Sequence, residues 1–112
     1  MTESDKIVSV ITCDVEGRIE TFNKNAEKLF GYTADELVGK KRVSLFSPGM
    51  VVLGHIENWL KNARESKKGY NTETVFVRKD RSEFAAQITL TATMKDGNHI
   101  GYCGRTTELP DM

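Results

Sequence analysis

CDVEGRIETFNKNAEKLFGYTADELVGKKRVSLF, residues 13–46, is the stretch that decides the architecture, because it writes a turn, a strand and two separately capped helices in succession. Asp14 and Gly17 supply the turn: an Asp side chain can accept from the backbone that follows it, and Gly takes positive φ with no Cβ to clash. A strand is expected over residues 18–22. Asn23 can then cap a helix by accepting from an otherwise unpaired amide, and Ala26, Leu29 and Phe30 fall on one face at helical spacing. Gly31 ends that helix. Thr33 and Glu36 have the spacing of a capping box, in which each side chain serves a backbone donor near the other. Leu37 and Val38 give this second helix a small apolar face, and Gly39 stops it. The basic run at residues 40–42 suits a solvated loop better than a binding patch, and residues 43–46 suit one more helical turn.

Working outward, residues 1–6 are polar and read as a flexible end, while IVSVITC at residues 7–13 is β-branched and reads as a first strand. After the central stretch, Ser47 and Pro48 make a helix start. Val52, Ile56, Trp59, Leu60 and Ala63 then recur on one face to about residue 66, and this longest helix should lay its stripe on the sheet. Gly69 ends it. Residues 71–77 read as a strand and 79–82 as a turn. Over residues 84–92, Phe84, Ala86, Ile88, Leu90 and Ala92 alternate with Ala85, Gln87, Thr89 and Thr91, as a strand with one buried face requires. Asp96-Gly97 is a hairpin signal before a last strand over residues 99–106. Strands on either side of a helical block indicate an α+β fold: one domain over residues 7–108, an antiparallel sheet with helices on one face, and a tail at 109–112.

Composition narrows the function. Sixteen basic and sixteen acidic residues cancel, so no long-range field attracts nucleic acid or a membrane surface, and neither is an expected partner. The start MTESDK lacks the charge-then-apolar order of a signal peptide, and no apolar run is long enough to span a bilayer. A soluble, cytoplasmic protein is expected. Cys13 and Cys103 make no disulfide framework or metal spacing, and each reads as a buried or half-buried thiol.

Over residues 5–108 the chain resembles the PAS domain family. The resemblance rests on Asp14 and Gly17 before Ile19; on Asn23, Ala26, Leu29, Phe30, Gly31 and Tyr32; on Glu36, Leu37 and Gly39; on RKDRSEF at residues 78–84, similar to that family's RKDGSxF hairpin; and on GRTTE at residues 104–108, similar to its closing RDITE. It implies a five-stranded antiparallel sheet of order 2-1-5-4-3 and a sensory or regulatory module of signal transduction. Such modules bind a ligand or cofactor, or mediate dimerisation, for an attached output domain. Two positions depart from the family pattern. Arg81 stands where Gly is frequent, so the hairpin must hold a side chain or change type. Arg105 stands where the closing Asp couples the core to a following helix.

The resemblance also sharpens the chemistry. A covalent flavin photoadduct needs a Cys in the helical region at residues 39–46, and none is there. A haem-bearing relative would place a His late in the long helix or just after it, and residues 64–70 hold none; His55 lies earlier, and His99 sits beside a turn. Non-covalent flavin or another small molecule stays open, with Trp59 able to shield a ring and Gln87 and Asn98 able to bond its edge. Equally, Trp59 is placed as ordinary core. A pocket between the long helix and the sheet is expected, lined by Leu29, Phe46, Val52, Ile56, Trp59, Phe76, Ile88 and Cys103. No nucleophile elbow, phosphate loop or zinc motif is present, so an enzyme is not expected; the enzymatic alternative would need a pocket carboxylate of raised pKa. The outward residues Thr89, Thr91 and Tyr102, with the amino-terminal segment, are expected to serve a homodimer or partner interface. A ligand-free assembly domain is the alternative reading.

Overall fold

The computed structural model describes residues 8–46, 53–65 and 69–110, without the side chains of residues 53–57. Strands β1 (Ser9–Asp14) and β2 (Ile19–Phe22) form the first hairpin, and helices α1 (Lys24–Phe30) and α2 (Ala34–Leu37) follow it. A 3-10 turn (Val43–Phe46), helix α3 (Leu53–Glu65) and strands β3 (Tyr70–Val77), β4 (Glu83–Lys95) and β5 (Asn98–Glu108) complete the order. All pairings are antiparallel and the sheet order is β2-β1-β5-β4-β3. The expected α+β sheet is thus present in the expected order. The expected helix start at Ser47 and Pro48 lies outside the described residues, as does Ile7 of the first strand.

The caps act as the sequence implies. Asn23 Oδ1 accepts from the Ala26 amide at 2.8 Å and also from the Val10 amide at 3.0 Å, so one side chain both starts α1 and pins it to β1. Gly31 closes the helix in the left-handed region at φ 85°, donating to the Glu27 carbonyl. Thr33 and Glu36 form both bonds of the capping box, and Glu27 reaches forward to accept from the Ala34 amide at 2.7 Å. The segment after α2 then lies along β2: Gly39 donates to the Ile19 carbonyl, and Ile19 donates to that of Lys41. The basic residues 40–42 therefore stand exposed on a loop that shields the β2 edge.

Register settles which residues face the helices. Directly opposed residues of an antiparallel pair share a face. Ile11 opposes Gly104, Cys13 opposes Tyr102, and Leu90 opposes Gly104, all inward. Tyr102 is accordingly buried, at 2% exposure, and is not the outward interface residue expected; Thr89 and Thr91 do face outward. Arg105 is exposed on the same outer face, opposite Val10 and Thr89. The β4–β5 hairpin runs longer than expected, because Asp96 (φ 53°) and Gly97 (φ 82°) make a tight turn whose twist matches the strands and carries pairing out to Lys95 and Asn98.

The β3–β4 turn keeps its geometry despite Arg81, which sits at φ 78° with its amide donating to the Arg78 carbonyl. A side chain in that region costs roughly 1–2 kcal/mol. Arg81→Gly is therefore expected to stabilise the domain by about 0.5–1 kcal/mol, the gain being reduced by glycine's greater freedom in the unfolded chain. A urea midpoint that falls in the variant would show that the arginine side chain outweighs the backbone strain.

Among the described residues no helix is long and apolar enough to cross a membrane.

Candidate functional site

Between the sheet and its helices lies a cavity of about 50 Å³. The inner sheet face supplies Ile11 and Cys13 from β1, Phe76 from β3, Ile88 and Leu90 from β4, and Gly104 and Thr106 from β5. Phe30 of α1, Val43 and Phe46 of the 3-10 turn, and Trp59 and Leu60 of α3 close it from the other side. Every layer of the domain thus contributes wall. Among the described wall residues none carries a charge, and Thr106 has the one hydroxyl. Taking about 15 Å³ as the space one water needs, the cavity has room for roughly three water-sized groups.

Phe30 is the hub of the wall. Its ring centroid lies 4.3 Å from that of Phe46, 5.5 Å from Phe84 and 5.7 Å from Phe76. Trp59 stands edge-on to Phe76 at 6.3 Å. Burial pushes the Cys13 thiol up to about 12, with the neighbouring Asp14 carboxylate acting in the same direction. At neutral pH Cys13 is a protonated, unreactive wall group. The Lys79 ammonium, bonded to Glu36, holds that carboxyl below its usual range, and Ser82 does the same for Asp80. Both carboxylates are on the surface, away from the cavity.

Of the residues expected to line a pocket, the structure brings Phe46, Trp59, Phe76 and Ile88 together around this cavity. Leu29 is buried but lies off the wall, in the core. Cys103 is half-buried on the outer face, paired with Thr12 and Thr91, because β5 runs one residue out of phase with that expectation. Val52 and the side chain of Ile56 lie outside the described residues, as does the side chain of His55. The amides of Gln87 and Asn98 are also away from the cavity, the first exposed on the outer face and the second beside the hairpin turn. His99 packs edge-on against Tyr102 at 4.7 Å. Sequence reading missed Ile11, Cys13, Phe30, Val43, Leu60, Leu90, Gly104 and Thr106 as wall residues. The apolar alternation of residues 84–92 could have added Leu90, whereas Gly104 has no side chain to announce its face.

Arg78 ties this chamber to the end of the last strand. Its Nε donates to the Leu29 carbonyl at 3.0 Å, its guanidinium lies 4.2 Å above the Phe84 ring, and it pairs with Glu108 at 3.0 Å. One side chain therefore touches the end of α1, the hairpin and the end of β5.

A five-stranded antiparallel sheet whose described helices all pack on one face, over an apolar chamber, defines a recognisable class of small α+β domain. Within that class the family is settled by sequence: the PAS domain family model matches residues 7–104, and the chain belongs to the PAS domain family. Two-component system protein A of Emericella nidulans is 28% identical over 115 residues, which covers 99% of this chain and 16% of that protein. The chain thus spans a small part of the length of that curated relative. Among solved structures, a PAS domain from Colwellia psychrerythraea superposes with a TM-score of 0.83 at 19% identity, covering 92% of this chain and 86% of that one. The PAS domain, in complex with ethanol, of a LuxR-family transcriptional regulator from Burkholderia thailandensis superposes with a TM-score of 0.76 at 14% identity, covering 91% and 88%.

Proposed function

We propose that this domain is a cytoplasmic sensory module of a signal-transduction protein, which takes a small ligand in the chamber between α3 and the sheet and passes its occupancy to an output domain. The observation that carries this reading is the chamber itself, whose apolar wall is drawn from the sheet, from α1 and from α3. A ligand that fits one arrangement of those layers better than another shifts the balance between them. The Arg78 contacts offer a route outward to Glu108, in place of the closing Asp that Arg105 replaces. The two-component name of the Emericella relative and the ethanol held by the Burkholderia domain are consistent with the reading. A three-ring cofactor such as flavin would require the walls to move apart. The outer sheet face, uncovered by helices among the described residues and lined by Thr89 and Thr91, supports the second reading, a ligand-free homodimer or partner-assembly domain.

The test is a thermal-shift screen of the domain against small neutral molecules, with absorption and native mass spectra of the protein as purified, repeated on Gly104→Ala. A methyl at position 104 would meet Leu90 at 3.2 Å, Ile88 at 3.7 Å and the Ile11 carbonyl at 3.8 Å, and so narrow the chamber. A ligand present at a hundred times its Kd stabilises the fold by about 2.7 kcal/mol, and that gain should shrink in the variant. A colourless dimer of polypeptide mass alone, with no hit, would favour assembly instead.

A further inference from the structure

Ser9 is fully buried on the inward face of β1, and among the described residues its hydroxyl oxygen has no hydrogen-bond partner. It lies directly opposite Thr106 of β5, the hydroxyl-bearing wall residue, which is itself 2% exposed. Side chains opposed in this way have Cβ atoms about 4.5–5.5 Å apart, so Ser9 stands next to Thr106 on the inner face, beside the wall and not in it. A buried hydroxyl without a partner is disfavoured. Along β1 the inward positions read Ser9, Ile11, Cys13, and an apolar residue at position 9 would continue that face with no unpaired group. The serine is accounted for if its partner comes from outside the chain.

We propose that the chamber binds a short, uncharged amphiphile whose one oxygen is held by Thr106, with Ser9 completing the hydrogen bonding behind it, and whose hydrocarbon part fills the aromatic remainder. This rests on the ligand-chamber reading above. A cavity of about 50 Å³ suits an occupant of a few non-hydrogen atoms, and the described wall residues offer a charged group nothing to pair with.

The experiment titrates the domain with 1-propanol and with 1-chloropropane, a probe of similar shape that lacks the hydroxyl, and follows the methyl resonances of Ile88 and Leu90. Ser9→Ala and Thr106→Val should each weaken the alcohol about fivefold, the effect of one modest hydrogen bond, while leaving the more hydrophobic chloride unchanged. Ser9→Ala should melt no lower than the wild type, since it removes an unpaired group. An alcohol affinity indifferent to both substitutions, or a chloride weakened by them as much as the alcohol, would overturn the anchor and leave the ligand-chamber reading standing. Methyl resonances that move with neither probe would overturn both.

Discussion

Gly101→Ala is expected to cost about 3 kcal/mol or more, the upper end of what overpacking does, and to leave little folded protein at 37 °C. A Cβ built on Gly101 stands 2.1 Å from the Cys13 carbonyl oxygen and 3.2 Å from Asp14 Cα. Both are backbone atoms of the neighbouring strand, and no side-chain rotation relieves them. The methyl must push β1 away from β5, and that pair is at the middle of the sheet. Circular dichroism during urea unfolding measures the loss. Gly104→Ala is the internal comparison, because its nearest neighbour is the mobile end of Leu90. A Gly101→Ala protein as stable as Gly104→Ala would show that β1 and β5 tolerate separation, and the account of the sheet given above would fail.

Phe30→Ala should be nearly as damaging. The ring is 1% exposed and is flanked by Phe22, Phe46, Phe76 and Phe84. Truncating a buried Phe costs about 3–5 kcal/mol, a large share of the roughly 5–15 kcal/mol that holds a domain of this size. The melting temperature should drop by about 10–20 °C. Because Phe30 also lines the chamber, the variant should gain space for an occupant larger than the wild type accepts, and benzene should restore part of the lost stability. A variant that is destabilised yet indifferent to benzene would mean that the cluster has collapsed into the void.

The two substitutions also mark where sequence was informative. Phe30 stands in a stretch whose caps, spacing and stops are local, so Asn23, Gly31, Thr33 and Glu36 could be assigned with no knowledge of the rest of the fold. The sheet order came from family resemblance and agrees with the observed pairing. The face presented by β5 was harder to read. In HIGYCGRTT the apolar Cys103 suggests the inside and the hydroxyl of Tyr102 the outside, yet the register reverses both. A slip of one residue exchanges the faces of a strand, and here the deciding positions, Gly101 and Gly104, carry no side chain to indicate a face. The chamber wall was about one-third legible: Phe46, Trp59, Phe76 and Ile88 stand out as large apolar residues, whereas Cys13, Gly104 and Thr106 become wall only through their partners across the sheet.

The Ser9–Thr106 rung has a mechanical consequence. Among the described residues the β1–β5 ladder ends at that rung, although β5 itself runs on beside β4 to Glu108, so the backbone arriving at Ser9 and the backbone leaving Thr106 pass within about 5 Å of each other. A tension applied across those two points does not shear the ladder, where all its hydrogen bonds would resist at once. It peels the strands apart one rung at a time, beginning with Ser9 and Thr106. The first bonds to yield are therefore those beside the chamber, and force enters the domain where Ser9 and Thr106 lie.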